Sequence, residues 1–190
     1  MPETRIKHAY RVRVWVFFVS VVLTLAVLFV ISQGIQTLQR LDFVERERDS
    51  WQRPEDVIEP LSLKDGKVVA EVGCGAGYFS LKLASKVGKH GSVLAEDILR
   101  EPLAFLWIRA LLRSQGNLRV IHGDLDDPHL PKEGLDAVLI ANTYHEFTNP
   151  QSILEHTFQA LRPDGLLVVL DRGPRRTTGS LVQPKCSNTK

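Results

Sequence analysis

Lys67-Val-Val-Ala-Glu-Val-Gly73-Cys-Gly75-Ala-Gly77-Tyr-Phe-Ser80 is the run on which the fold turns. Lys67 to Val72 reads as a short apolar strand. Three glycines at alternating positions follow, and helical spacing of apolar residues starts at Tyr78. A glycine turn that follows a strand and opens a helix is the setting of a nucleotide-binding loop. Glycine there allows positive φ and close approach of a ligand to the backbone. The spacing is G-x-G-x-G, not the G-x-G-x-x-G of dinucleotide folds, for which Ser80 would have to serve as the last small residue. No Gly-Lys-Ser/Thr follows, which excludes a P-loop.

Outward from this run, apolar strands alternate with helical stretches. Tyr78 to Val87 carries Phe79, Leu81, Leu83, Ala84 and Val87 at helical spacing. Ser92–Asp97 is a second strand, and Pro102–Leu112 is a helix with proline in its first turn. Leu118–His122 and Leu135–Ala141 are the third and fourth strands. Pro150–Leu161 is a helix closed by the turn Arg162-Pro-Asp-Gly165, and Leu166–Leu170 is a fifth strand. This alternation predicts an α/β domain of right-handed βαβ units with a parallel sheet, and ligands at the carboxyl ends of its strands.

Carboxylates collect at those ends. Glu71 lies beside the loop, where it repels a pyrophosphate and suits a cation. Asp97 ends the second strand, twenty residues beyond Gly77. A carboxylate there accepts both hydroxyls of a ribose, while Glu96 points to the opposite face of the strand. Asp124, in His122-Gly-Asp124, can accept from an adenine amino group. S-adenosylmethionine, with an ammonium, a sulfonium and no phosphate, suits this set. Glu71 also has a structural reading, as a cap of the loop or a lysine partner. Asp126 and Asp127 read as a solvated turn before Pro128, and Asp136 as a structural residue.

With these motifs in this order, the chain resembles the class I S-adenosylmethionine-dependent methyltransferases, specifically small bacterial methyltransferase-domain proteins. Glu71–Gly77 is similar to the family's first motif, Ala95-Glu-Asp-Ile98 to its acidic second-strand motif and Gly123-Asp124 to its adenine-side motif. Asp136–Phe147 is similar to the fourth motif, and Leu161–Leu170 to the segment entering strand five. The resemblance covers Trp51 to Asp171. It implies a Rossmann-like parallel sheet, S-adenosylmethionine as cofactor, and methyl transfer to an acceptor. It also implies cofactor-binding roles for Glu71, Gly73, Gly75, Gly77, Asp97, Ile98, Asp124 and Asn142. Asn142-Thr-Tyr-His-Glu146 would contact cofactor or acceptor, with His145 and Tyr144 as the catalytic candidates. A histidine pKa suits general-base work; the alternative is a loop histidine satisfied by backbone. Arg48-Asp-Ser-Trp-Gln52 stands where such proteins fold a lid over the cofactor, although Trp51 also fits a core anchor.

A complete domain of that family has seven strands, whereas eighteen residues follow Arg172 here. The domain is therefore expected to lack the last two strands, with 173–190 a disordered tail. Strand five would be an exposed apolar edge, open to a partner. This keeps a second reading in play, a non-catalytic cofactor-binding or interaction module. A nicotinamide-dependent enzyme is the third, disfavoured by Glu71 and the glycine spacing.

Upstream, Val14 to Gln39 holds no charged residue, and Val14–Ile31 is almost wholly apolar. A helix rising ~1.5 Å per residue needs roughly 20 residues to cross a hydrocarbon core. Trp15 suits the interface, and Arg11 and Arg13 can snorkel to headgroups. The segment is expected to be a single-pass membrane anchor, with a cleaved signal peptide as its rival, for which Ser32-Gln33-Gly34 resembles a cleavage site. Basic residues flank both ends, so the side on which the domain lies stays open. The expected organisation is an anchor at 1–35, a juxtamembrane entry segment at 36–60, helix or linker, the α/β domain at 61–172 and a tail at 173–190.

Composition agrees. Of 190 residues, 44% are hydrophobic and 24% charged, which excludes wholesale disorder. The net charge of +2 comes from the amino terminus, where Arg5, Lys7, Arg11, Arg13 and Arg40 face only Glu3 within the first forty residues. The remainder is slightly acidic and is not a nucleic-acid binder by bulk charge. The acceptor is thus expected to be a small molecule, a lipid or a protein. Cys74 and Cys186 build neither a disulfide framework nor a metal finger, and no metal site is expected.

Overall fold

The computed structural model describes residues 3–171. The tail expected at 173–190, and Cys186 within it, lies outside the described residues. Helix α1 (Glu3–Gln52) leads into α2 (Pro54–Ile58) and a 3-10 turn at Glu59–Leu61. There follow β1 (Val68–Val72), α3 (Tyr78–Val87), β2 (Ser92–Asp97), α4 (Arg100–Leu112) and β3 (Leu118–His122). The chain continues through β4 (Leu135–Ala141), α5 (Pro150–Ala160) and β5 (Leu161–Leu170).

Among the described residues the strands form one parallel five-stranded sheet, ordered β3-β2-β1-β4-β5. The chain steps outward from β1 to β3, then returns to the other side of β1. Strand order therefore reverses between β1 and β4, and a crevice opens above their carboxyl ends. The glycine loop leaves β1 there, and Asn142 leaves β4 beside it.

Strand alternation divides the core into two layers. Val69, Val93, Ala95, Ala137 and Leu139 pack against Phe79 and Leu83 of α3 and Leu106 of α4. Ala70, Val72, Leu94, Val138 and Ile140 pack against Ile153 and Ala160 of α5. Burying a large apolar side chain is worth about 1.5–3 kcal/mol, so the central strands make a stiff platform for the loops above them. Helix α5 starts where the Asn149 side chain accepts from the Ser152 N–H and Pro150 fills the first turn.

One element differs from the sequence pattern. Strand β5 starts at Leu161, which leaves α5 extended and pairs with Leu135; the next pair is Ala137 with Leu166. The Arg162–Gly165 turn is therefore absorbed as a bulge inside the strand, with Asp164 at φ 66°. Helix α1 runs unbroken through residue 35, so the juxtamembrane segment takes the helical one of its two expected forms. Its apolar part is exposed and by length and composition could cross a membrane. Leu38, Leu41, Asp42, Glu45, Arg48 and Gln52 are half-buried. Their helical spacing marks one face of α1 as the face laid on the domain. The helix stops at Arg53, whose φ of 47° turns the chain before Pro54.

Candidate functional site

The three loop glycines all have positive φ, as their sequence context requires. Two of them face protein. A Cβ at Gly73 would lie 2.2 Å from the Thr143 side chain, and one at Gly77 would lie 2.1 Å from Leu106. Gly75, at φ 53°, faces open space. It lines both of the cavities that meet above the β1–β4 reversal.

The loop's N–H groups are held by carboxylates of the next strand. Asp97 Oδ2 accepts from Gly75 N–H at 2.8 Å, and Glu96 Oε2 accepts from Gly73 N–H at 3.3 Å. The Cys74 N–H donates to the Glu96 carbonyl at 2.8 Å. An anion that wanted these donors would meet two acids already there. This is a stronger argument against a pyrophosphate than the glycine spacing. Asp97 Oδ1 also accepts from Leu99 N–H at 2.8 Å. A carboxylate has about four acceptor positions, so Asp97 keeps capacity for two further donors.

The first cavity, of about 280 Å³, lies over β2 and the exit of β3. Glu96, Asp97 and Asp124 give it acidic walls, and Ile98, Leu99, Pro102, Leu125 and Phe147 give it apolar ones. Asp124 is mostly exposed, with its Oδ2 3.2 Å from His129 Nε2. Glu96 is buried, and burial lifts its carboxyl to about 8; Asp97 and Asp127 push the same way against the Gly73 N–H.

The second cavity, of about 240 Å³, lies between the glycine loop and α1. Leu41, Val44, Glu45 and Arg48 of α1 form one wall, and Glu71, Gly73, Gly75, Asn142 and Thr143 line the other side. Glu71 is 2% exposed and accepts a close hydrogen bond from Ser80 Oγ. Burial raises its carboxyl to about 8, against the pull of Ser80 and of Arg48. The Arg48 guanidinium lies 3.9 Å over the Tyr78 ring. Asn142, at φ 59°, carries a buried Nδ2 that meets no acceptor within the fold.

Helix α1 is clamped here. Arg109 of α4 is 4% exposed and donates to the Ala76 carbonyl at 2.6 Å. The same guanidinium bonds Glu45 closely and reaches Asp42 at 3.2 Å. Arg113 pairs with both acids at 2.9 Å. At the other end of this interface, Asp49 accepts from Tyr78 Oη at 2.8 Å and pairs with Lys82. Burial would raise the Glu45 carboxyl, but Arg113, Arg109 and Lys82 hold it below its ordinary value.

Glu71, Gly73, Gly75, Asp97, Ile98, Asp124 and Asn142 thus meet around the two cavities, while Gly77 serves the loop-to-helix turn. His145 and Tyr144 stand on a 3-10 turn, Tyr144–Glu146, after β4. Neither is among the described residues lining the cavities, although Thr143, Glu146, Phe147 and Thr148 are. The Tyr144 ring packs edge-on to Phe147. His145 engages Asp171 through its backbone N–H and its Nδ1, at 2.7 and 2.8 Å. Asp136 is structural, accepting from Val68 N–H, Lys67 and Arg162. Trp51 is 66% exposed and anchors no core; Arg48 and Asp49 make the contact instead. Thr143 falls within the loop expected to contact cofactor or acceptor and lines both cavities, whereas Arg109 lies outside every motif read from the sequence. Arg109 had a readable signal, a lone cation in line with Leu103, Leu106 and Ala110 on the buried face of α4. The bond from Thr143 Oγ1 to the Gly73 carbonyl had none, since it depends on Gly73 lying beside it.

Residues 69–165 match a family model described as a methyltransferase domain. The chain is 26% identical over 117 residues to the demethylmenaquinone methyltransferase of Geobacillus kaustophilus, covering 62% of this chain and 50% of that protein. It is 30% identical over 122 residues to the ubiquinone/menaquinone biosynthesis C-methyltransferase UbiE of Azotobacter vinelandii, covering 64% and 47%. The chain spans about half the length of the curated relatives it matches. The crystal structure of a SAM-dependent methyltransferase from Aquifex aeolicus superposes with a TM-score of 0.66 at 28% identity, covering 76% of this chain and 77% of that one.

Proposed function

The chain belongs to the class I S-adenosylmethionine-dependent methyltransferases, and on that premise we propose that it transfers a methyl group to an apolar small molecule while α1 holds it at a membrane. The observation that carries the cofactor assignment is the pair of adjoining cavities whose loop donors are taken by Asp97 and Glu96. Such a site accepts a cationic, phosphate-free nucleoside and repels a diphosphate. Two further features fit. Gly75 leaves open space where a side chain would stand, and Asn142 Nδ2 is a buried donor in want of an acceptor.

Asp97 would take the ribose hydroxyls, with Asp124 at the adenine edge and Ile98, Leu99, Pro102 and Phe147 against its faces. Glu71 would take the ammonium, and Arg48 with Asn142 the carboxylate of the amino-acid end. When bound, the cofactor supplies a methyl group on a sulfonium, open to in-line displacement. The chain's own contribution is then orientation and exclusion of water. The α1 wall at Leu41, Val44 and Arg48 covers the amino-acid end, and Thr143 braces the loop through Gly73. For an acceptor that must lose a proton, His145 is the proposed base, with Asp171 orienting its ring. The acceptor class is supported by the quinones in the names of the relatives and by the apolar run of α1.

Calorimetry on the full chain in detergent tests the assignment. S-adenosylmethionine and its demethylated product should bind, and each ribose hydrogen bond removed by Asp97→Ala should cost about tenfold in affinity. A nicotinamide dinucleotide should not compete. Unchanged affinity in Asp97→Ala, or displacement by the dinucleotide, would remove the assignment. A short-chain demethylated quinone tests the acceptor separately: binding of cofactor without any methylated product would favour a non-catalytic module.

A further inference from the structure

We propose that the outward face of α4 is a bilayer-contact surface, on which the domain lies against the membrane crossed by α1. The inference rests on reading α1 as a membrane span and adds a second contact to it. Helix α4 is apolar on two sides. Leu103, Leu106 and Ala110 face the core, whereas Trp107, Leu111 and Leu112 are 57%, 65% and 70% exposed. Ala104 is exposed too and Ile108 half-exposed, so 104, 107, 108 and 111 make a continuous outward stripe at helical spacing. An apolar stripe on a solvent-facing helix calls for an occupant.

Position along α1 selects the occupant. A hydrocarbon core of about 30 Å counted from Val14 ends near Gln33, and a headgroup layer of roughly 5–7 Å reaches Leu38. The domain-facing side of α1 is half-buried at Gly34 and, from Thr37 and Leu38, turn after turn onward. One turn beyond Leu38, Asp42 pairs with Arg109 and Arg113 of α4. Asp49, two turns further still, pairs with Lys82 and Tyr78 of α3. The order of these pairs makes α4 the membrane-near helix of the domain and α3 the next layer out. Charge agrees with the same occupant. Lys89 and Arg119 line one shallow depression beyond the carboxyl end of α4, and Arg100 is exposed at its start. Basic residues beside an outward Trp/Leu stripe suit an anionic lipid surface.

The chain has three tryptophans, at 15, 51 and 107, and each reports a different level. Full-length variants keeping a single tryptophan, with phenylalanine at the other two positions, are reconstituted into phosphatidylcholine/phosphatidylglycerol vesicles containing acyl-brominated lipid. Trp107 emission should shift to the blue and fall by about twofold or more, since an interfacial helix buries its apolar face roughly 5–10 Å deep. Trp15 should be quenched as part of the span, and Trp51, near the far end of α1, should not. Quenching of Trp15 without Trp107 overturns the α4 surface and leaves the anchor standing. Quenching of Trp107 without Trp15 supports the α4 contact and removes the span. If neither is quenched, both readings fall. A blue shift of Trp107 that tracks protein density without bromine quenching means that a second copy covers the stripe, and overturns the proposal.

Discussion

Replacing Glu71 by glutamine should turn a strongly pH-dependent cofactor affinity into a flat one. Glu71 is 2% exposed, and burial lifts its carboxyl to about 8. The groups facing it come from every neighbouring element: Ser80 from α3, Arg48 from α1, Cys74 in the loop and Asp97 from β2. Ser80 and Arg48 favour the charged form and Asp97 opposes it, yet burial outweighs them. The free protein therefore carries Glu71 mostly protonated at pH 6, whereas an ammonium selects the ionised form. Below the pKa each pH unit should weaken binding about tenfold, about 1.4 kcal/mol. Between pH 6 and pH 8 the dissociation constant should fall by roughly fiftyfold. Calorimetry in two buffers of different ionisation heat should show nearly one proton released on binding at pH 7. A wild-type affinity that ignores pH over this range would refute the reasoning, as would a slope that survives in Glu71→Gln. A slope lost instead in Glu96→Gln would move the effect to the other raised carboxyl, in the first cavity.

Glu71 and Glu96 should also set the pH dependence of folding. Both have folded pKa values above the ordinary 4.5. Their stabilisation is therefore complete below pH 4.5 and is lost as pH rises towards 8, by about 1.4 kcal/mol per unit for each group. Melting of the wild type should accordingly be lower at pH 8.5 than at pH 6, and Glu71→Gln with Glu96→Gln should remove most of the gap. The loop glycines separate folding from binding: Gly77→Ala drives a Cβ into Leu106 and should lower the melting temperature sharply. Gly75→Ala meets no protein atom, so beyond left-handed backbone strain of about 1–2 kcal/mol its main cost should appear in cofactor affinity. Equal thermal losses in the two variants would contradict this division. Arg109→Ala removes one guanidinium from Glu45, Asp42 and the Ala76 carbonyl together. It should cost about 3 kcal/mol or more in urea unfolding and weaken cofactor binding through the loop; loss of neither would show that Arg113 alone holds α1.

The α/β alternation, the glycine loop and most element limits were legible in the sequence because they arise within a few residues. Side-chain periodicity marks helix and strand, glycine marks positive φ, and Asn149-Pro150 marks a helix start. The acids of the site were legible for the same reason, since strand ends in a parallel sheet converge on one edge. What each acid does was not. The sequence marks Asp97 as a ligand group and Glu96 as its neighbour on the opposite face. Only folding puts both on the loop N–H groups, because β2 must lie beside β1 for those bonds to form. Tyr144 and His145 are adjacent in sequence, but the 3-10 turn sends the tyrosine ring into packing and the histidine to Asp171. The role of α1 was the least readable. Its contact with the site depends on Arg109 meeting Glu45, 64 positions away, and no local pattern specifies a pairing over that separation. Local chemistry therefore determined the elements and the kind of ligand, and long-range packing decided which side chains remain free to hold it.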